Sequence, residues 1–217
     1  MPCPTRNLLD DAQSFHLWPQ RVRMKLYYSP LACSLADHIA LREAGMAFEA
    51  ERVDLHTLRT AGGEDFARIN PKKYVPALIL DDGTMITENL AVLDWIAGET
   101  PALQIGGAMG RTRVIEALTY ITTEIHRAYK PMWHAGSAAD KARAGDTVLR
   151  LMQPLSDGLQ GDYLFGATPS VADFYLFVML LWADRFALDL PLPLLGLRER
   201  MKARPAVQAA MAAEGIG

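Results

Sequence analysis

Through the first half of the chain the apolar positions change period again and again; in the second half they settle into one. KLYYS (25–29) is dense in aromatic side chains and stops at Pro30, which predicts a short strand. SLADHIALREAG then places Leu35, Ile39 and Ala40 on one helical face and ends at Gly45, the residue type that closes a helix C-terminus. FEAERVDL (48–55) predicts a second strand, and GEDFARIN (63–70) a short helix closed by Pro71. PALIL and TMIT flank Asp81, Asp82 and Gly83, a hairpin signature. ENLAVLDWIAGE (88–99) predicts the last helix of this part, so the order is βαβαββα with a helical crossover between the first strands.

TPALQIGGAMG (100–110) has no apolar period and predicts a linker. Beyond Arg111 only the helical period remains, and Val114, Leu118, Ile121, Ile125 and Met132 define one buried stripe. Ser170-Val-Ala-Asp173 is a capping-box pattern set directly before FYLFVMLLWA (174–183). That run is bounded by Asp173 and Asp184, and its length falls far short of the roughly 20 residues a membrane span needs. It predicts a buried core helix, with no membrane association. Four segments are expected: an extension (1–23), an α/β domain (24–100), a linker (101–110) and an all-helical domain (111–217).

The composition fits an ordinary globular protein: 217 residues, 50% apolar, net charge -3. Its basic residues are scattered, which excludes a nucleic-acid partner. The two cysteines, Cys3 and Cys33, lack the spacing of a metal site or a disulfide framework, so no metal is expected and a reducing, cytoplasmic setting is. Residues 1–23 carry acidic side chains and no continuous apolar run, unlike a secretory signal. They read as a loosely ordered extension, or as sequence ahead of a true start at Met24.

Candidate chemistry begins at Cys33, just before the helix that starts at Ser34. Free N–H groups and the positive end of the helix dipole favour a thiolate there and predict a lowered thiol pKa. The plainer alternative is a small buried cysteine. Thr87, Glu88 and Asn89 open another helix, whose N-terminus suits a carboxylate while Glu88 suits an ammonium; simple capping explains the same residues. Thr119, Thr122 or Thr123, and His126 form a polar stripe beside the apolar one, as on a helix lining a cleft.

Taken together, MKLYYSPLACSLADHIALREAG, INPKKYVPALILDDGTMITEN, TEIHRAYKPMW, PSVADFYLFVMLLWA and RPAVQAAMAAEG resemble the cytosolic glutathione transferases, most closely the bacterial beta class. The resemblance implies a thioredoxin-like first domain, a helical second domain, glutathione as co-substrate, a small-molecule electrophile and a homodimer. It places Cys33 at the class's reactive cysteine and Val75-Pro76 at a cis-proline turn whose backbone holds the cysteinyl part of glutathione. It puts Glu88 and Asn89 at the γ-glutamyl end and directs His126 into the active site. Glu124 and Arg127 match further family positions.

Ser34 and Tyr28 are hydroxyl candidates near the thiol, and Pro30, Leu31, Met132 and Trp133 the expected walls of an electrophile pocket. The sequence departs from the family pattern at Leu58, where a lysine is frequent and Arg59 is the neighbouring cation, and at Thr119, where an asparagine is frequent. Asn89 stands where Ser or Gly is common. A weaker hold on glutathione follows. The expected activity is glutathione transfer to small electrophilic or hydrophobic substrates, or their reduction. Two alternatives stand beside it: thiol-disulfide reduction through Cys33, and a non-catalytic binding protein on the same fold.

Overall fold

A computed structural model describes residues 24–134 and 136–216. The expected extension, 1–23, lies outside the described residues.

Five strands form one mixed sheet in the order β3-β2-β1-β4-β5. β1 (Lys25–Tyr28) runs parallel to β2 (Glu49–Asp54), and α1 (Ser34–Glu43) crosses between them. β4 (Ala77–Ile79) lies antiparallel on the other side of β1 and turns into β5 (Met85–Thr87). The predicted hairpin is present, its turn held by Thr84 N–H donating to Asp82 Oδ1 at 2.8 Å. α3 (Asn89–Glu99) closes this part. This is the expected thioredoxin-like order, with two differences. A two-residue strand, β3 (Arg59–Thr60), extends the edge, and α2 is confined to Phe66–Ile69 because Asp65 stays extended and caps it by accepting from Ala67 N at 3.1 Å.

Alternation along β1 divides the sheet's two faces. Leu26 and Tyr28 point into the main core with α1 and α3. Tyr27 points the other way, into a small cluster with Val53, Phe66, Val75 and Ala77. α1 ends as its sequence predicts: Gly45 takes φ +67°, and Met46 N–H reaches back to Leu41 O at 3.1 Å.

The stretch read as a linker is tightly organised. Pro101–Leu103 makes a 3-10 turn, Leu103 is buried, and Gln104 Nε2 donates to Ala97 O at 3.0 Å. Gly110 opens α4 (Gly110–Tyr120), and a Cβ there would meet Ile105 O at 1.8 Å, so only glycine fits.

The remaining chain is helical: α5 (Lys130–Trp133), α6 (Ala138–Asp157), α7 (Val171–Arg185), α8 (Leu192–Lys202) and α9 (Pro205–Glu214). The stripe from Val114 to Met132 is buried throughout, and α7 is buried from Val171 to Ala183. The capping box forms, with Ser170 N–H and Oγ both donating to Asp173 Oδ2 at 2.8 Å. Between α4 and α5 the helix widens into a π segment, Ile121–His126. Such widenings are rare and concentrate at functional sites. This one carries Thr122, Thr123 and His126. No helix among the described residues is long and apolar enough to cross a membrane.

Candidate active site

Cys33 occupies the first corner of α1, and its Sγ lies 3.7 Å from Val75 O. The Val75-Pro76 bond is cis. The lowered thiol pKa expected from the helix start does not materialise: burial pushes the Cys33 thiol up to about 12, and the Asp37 carboxyl one turn along α1 adds to the rise. Backbone N–H groups of Ser34 and Cys33 pull the other way and lose. A helix terminus contributes about 0.3–1 kcal/mol at an exposed site, whereas removing a charge from water shifts a pKa by up to several units. Cys33 is half-buried, with the start of α1 and the Val75 turn packed around its thiol.

Asp37 is fully buried, and desolvation holds its carboxyl well above the usual range, with the Glu214 charge acting in the same direction. Its partner is Asn89. With the amide nitrogen turned inward, Asn89 donates to Asp37 Oδ2 at 2.6 Å and to Cys33 O at 3.2 Å. The Asn89 side chain is therefore committed to the protein interior, which corrects its expected part in gripping a ligand carboxylate. The backbone N–H groups at the start of α3 remain. Glu88 stands at that start with φ +71°, exposed, and pairs with Lys72 Nζ at 2.5 Å; Lys72 also reaches Thr87 Oγ1 at 3.0 Å.

Across the boundary with the helical part, the buried Tyr175 hydroxyl sits 2.6 Å from His126 Nδ1 and also meets the side chains of Thr122 and Asn89. One polar chain thus runs Asp37, Asn89, Tyr175, His126. Burial lowers the His126 pKa, so its ring is neutral near pH 7. Nδ1 is engaged, which leaves Nε2 for the cavity that His126 helps line.

That cavity has a volume of about 890 Å³. Ser29, Pro30, Leu31 and Ala32 form one wall, with Leu55 nearby, and His126, Arg127, Lys130, Trp133, Trp182 and Arg185 form the other. Leu31 is held in the left-handed region at φ +59°. Its N–H donates to Glu214 Oε2 at 3.2 Å, and its carbonyl accepts from Trp182 Nε1 at 2.8 Å. Glu214 also meets His38 Nδ1 at 2.9 Å in a fully buried pair.

Of the expected electrophile walls, Pro30, Leu31 and Trp133 line the cavity. Met132 does not: it is 8% exposed and packs into the core, as its place in the apolar stripe requires. The Tyr28 hydroxyl donates to Ala213 O at 3.5 Å, and Ser34 Oγ folds back on Ser29 N at 3.3 Å, so neither serves the thiol. Thr119 and Thr123 donate to carbonyls of their own helix, at 2.7 Å and 3.0 Å. Glu124 is exposed, and Arg59 Nη1 bonds Gly63 O at 3.2 Å within its own turn, beside Leu58 at φ +54°. These residues are not brought to the cavity.

The sequence reading passed over Asp37, Lys72, Tyr175, Trp182, Arg185 and Glu214. Asp37 carried a signal, since it lies four residues after Cys33 on one helix face. Tyr175 and Trp182 were concealed in a run read only as core.

The glutathione S-transferase N-terminal domain model matches residues 32–99, and the C-terminal domain model matches residues 133–213. The chain is 38% identical to the Escherichia coli O157:H7 protein named glutathione S-transferase GstA, over 89% of this chain and 100% of that one. A sphingomonad glutathione S-transferase solved in complex with glutathione superposes with a TM-score of 0.82 at 43% identity, covering 89% of this chain and 100% of that chain. A bacterial beta class glutathione S-transferase from Sphingomonas chungbukensis superposes at 0.81 with 41% identity and the same coverage. Here a thioredoxin-like sheet is joined to a helical bundle, with a cysteine at the α1 corner facing a cis-proline turn. The chain belongs to the glutathione S-transferase family, and one of its solved neighbours is a bacterial beta class glutathione S-transferase.

Proposed function

We propose that the protein transfers glutathione to small electrophiles with Cys33 as a hydrogen-bond donor rather than as the nucleophile. The tripeptide's cysteinyl backbone pairs with Val75, its γ-glutamyl end meets the start of α3 beside Glu88 and Lys72, and its sulfur lies against Cys33. The observation that carries this reading is the half-buried Cys33 thiol set against the Val75 turn, its pKa pushed up by its surroundings. A neutral thiol donating to a neighbouring sulfur stabilises that sulfur as a thiolate. Neutral His126, open to the cavity at Nε2, is placed to take the proton that glutathione loses. The glutathione sulfur then forms the new C–S bond, and the leaving group departs with the bonding pair. The same reading has the enzyme working as a homodimer in the cytoplasm without a metal ion.

The rival, disulfide exchange through Cys33, needs a Cys33 thiolate, which burial opposes. Leu58 and Thr119, the departures behind a non-catalytic reading, bear on the hold on glutathione, and neither lines the acceptor cavity.

Conjugation of a chlorodinitroarene separates the two chemistries. Cys33→Ser keeps a donor and should hold kcat/KM within about threefold, while Cys33→Ala should lower it about tenfold, the worth of a hydrogen bond to a charged group. Loss of disulfide reductase activity in both variants, with conjugation untouched in both, would establish exchange instead.

A further inference from the structure

We propose that the acceptor cavity is built for a planar anion: an aromatic or conjugated electrophile that carries a carboxylate. This deepens the transferase reading and rests on it.

The cavity's second wall brings together Arg127, Lys130 and Arg185, and among the described residues no Asp or Glu lines the cavity. Among the described residues none of these three cations is in an ion pair. Elsewhere among the described residues some guanidinium groups are matched, Arg111 with Asp94, Arg113 with Glu116, Arg143 with Asp140, Arg198 with Asp184 and Arg204 with Glu43, while Arg42, Arg52, Arg59, Arg68 and Arg150 are not. What sets the cavity apart is that three cations converge on one wall with no carboxylate among its lining residues. Closing a neutral hydrophobe against this wall would strip water from cations and offer them nothing. A carboxylate instead receives two parallel bonds from a guanidinium fork and is drawn in by the summed positive potential.

Flatness follows from the aromatic part of the same wall. Trp133 is 38% exposed, with the Arg185 guanidinium 5.4 Å from its ring centre. It meets Trp182 edge to face at 5.2 Å. Because Trp182 Nε1 is spent on Leu31 O, the cavity sees its indole as hydrocarbon. A planar ring laid against Trp133 would point a carboxylate at Arg185 and Lys130 and bring its reacting carbon toward the Pro30–Ala32 side, where the thiol corner begins.

The test uses the full chain with a chlorodinitrobenzoate and its neutral carboxamide as matched acceptors. Each kcat/KM is divided by the uncatalysed rate with glutathione, and the ratio of the two is compared among wild type, Arg185→Gln and the double variant Arg185→Gln, Lys130→Gln. The benzoate-to-carboxamide ratio is expected to fall about tenfold in the double variant, because one charge-assisted bond is worth about that much. Both acceptors are read on one preparation, so folding damage cancels. A ratio within about twofold of wild type overturns the inference, as does an unmoved ratio accompanied by a raised KM for glutathione, which would give the cations to the tripeptide. Carboxamide turnover with an unmoved ratio leaves the transferase reading standing; no turnover of either acceptor by wild type brings down both.

Discussion

The two walls of the cavity solve opposite electrostatic problems. Behind the thiol-side wall, without lining the cavity themselves, stand the acidic groups Cys33, Asp37 and Glu214, all with their pKa values raised and burial the first cause in each. On the helical side the groups are basic, Arg127, Lys130 and Arg185 are exposed, and all three go unpaired among the described residues. One wall suppresses charge by taking it out of water, and the other displays it. A thiolate brought between them meets the Cys33 thiol behind it and positive charge in front. That difference is what orients an anionic nucleophile and an anionic acceptor toward the same spot.

The comparison breaks most severely if the acidic group behind the thiol-side wall loses its best-partnered member, Glu214. Glu214→Ala strands Leu31 N–H and buried His38, and breaking a buried pair costs about 3 kcal/mol or more. A thermal melt should show Tm lower by roughly 6 °C or more, at about 2–4 °C per kcal/mol for a chain of this size; a shift under about 2 °C would mean the pair holds nothing. Asp37→Asn acts in the opposite direction and more weakly. The folded pKa of Asp37 is raised, so its contribution is full below the ordinary carboxylate range and is lost as pH rises through the folded value. The amide removes that loss. Urea melts should show the variant gaining about 1 kcal/mol near neutral pH, with a flatter pH profile; an unchanged profile would show that Asp37 is not the buried acid described.

The smallest effect sharpens the account of the thiol. Alkylation of Cys33 in the wild type should keep accelerating beyond about pH 10, past the roughly 8.5 midpoint of a free thiol. Asp37→Asn should lower that midpoint by less than about one unit, because burial outranks the carboxyl as the cause. A fall to the free-thiol value would reverse that ranking.

Legibility in the sequence followed locality. Strand periods, the Asp82-Gly83 turn, the Gly45 stop and the Ser170 capping box depend on neighbouring residues, and each could be read. The thiol pKa could not, because position at a helix start is a local fact while the depth of the sulfur depends on elements packed around it. Asn89 failed for the same reason: its helix position was evident, but its amide turns inward to an aspartate on another helix. Tyr175 and Trp182 fell within a run whose hydropathy spoke only for burial, although each carries a polar atom that finds a partner across the fold. Met132 fitted two expectations at once, core stripe and pocket wall, and the stripe prevailed.

The strained residue Leu31 bears on how such proteins can be taken apart. Both of its backbone groups are held by side chains 151 and 183 positions downstream, so the shape of the thiol loop is stored at the far end of the chain. The halves are consequently not exchangeable parts. A chimera that joined residues 24–100 to another helical domain would keep its cysteine yet lose the loop's geometry, unless the incoming half supplied an indole and a carboxylate at the places of Trp182 and Glu214.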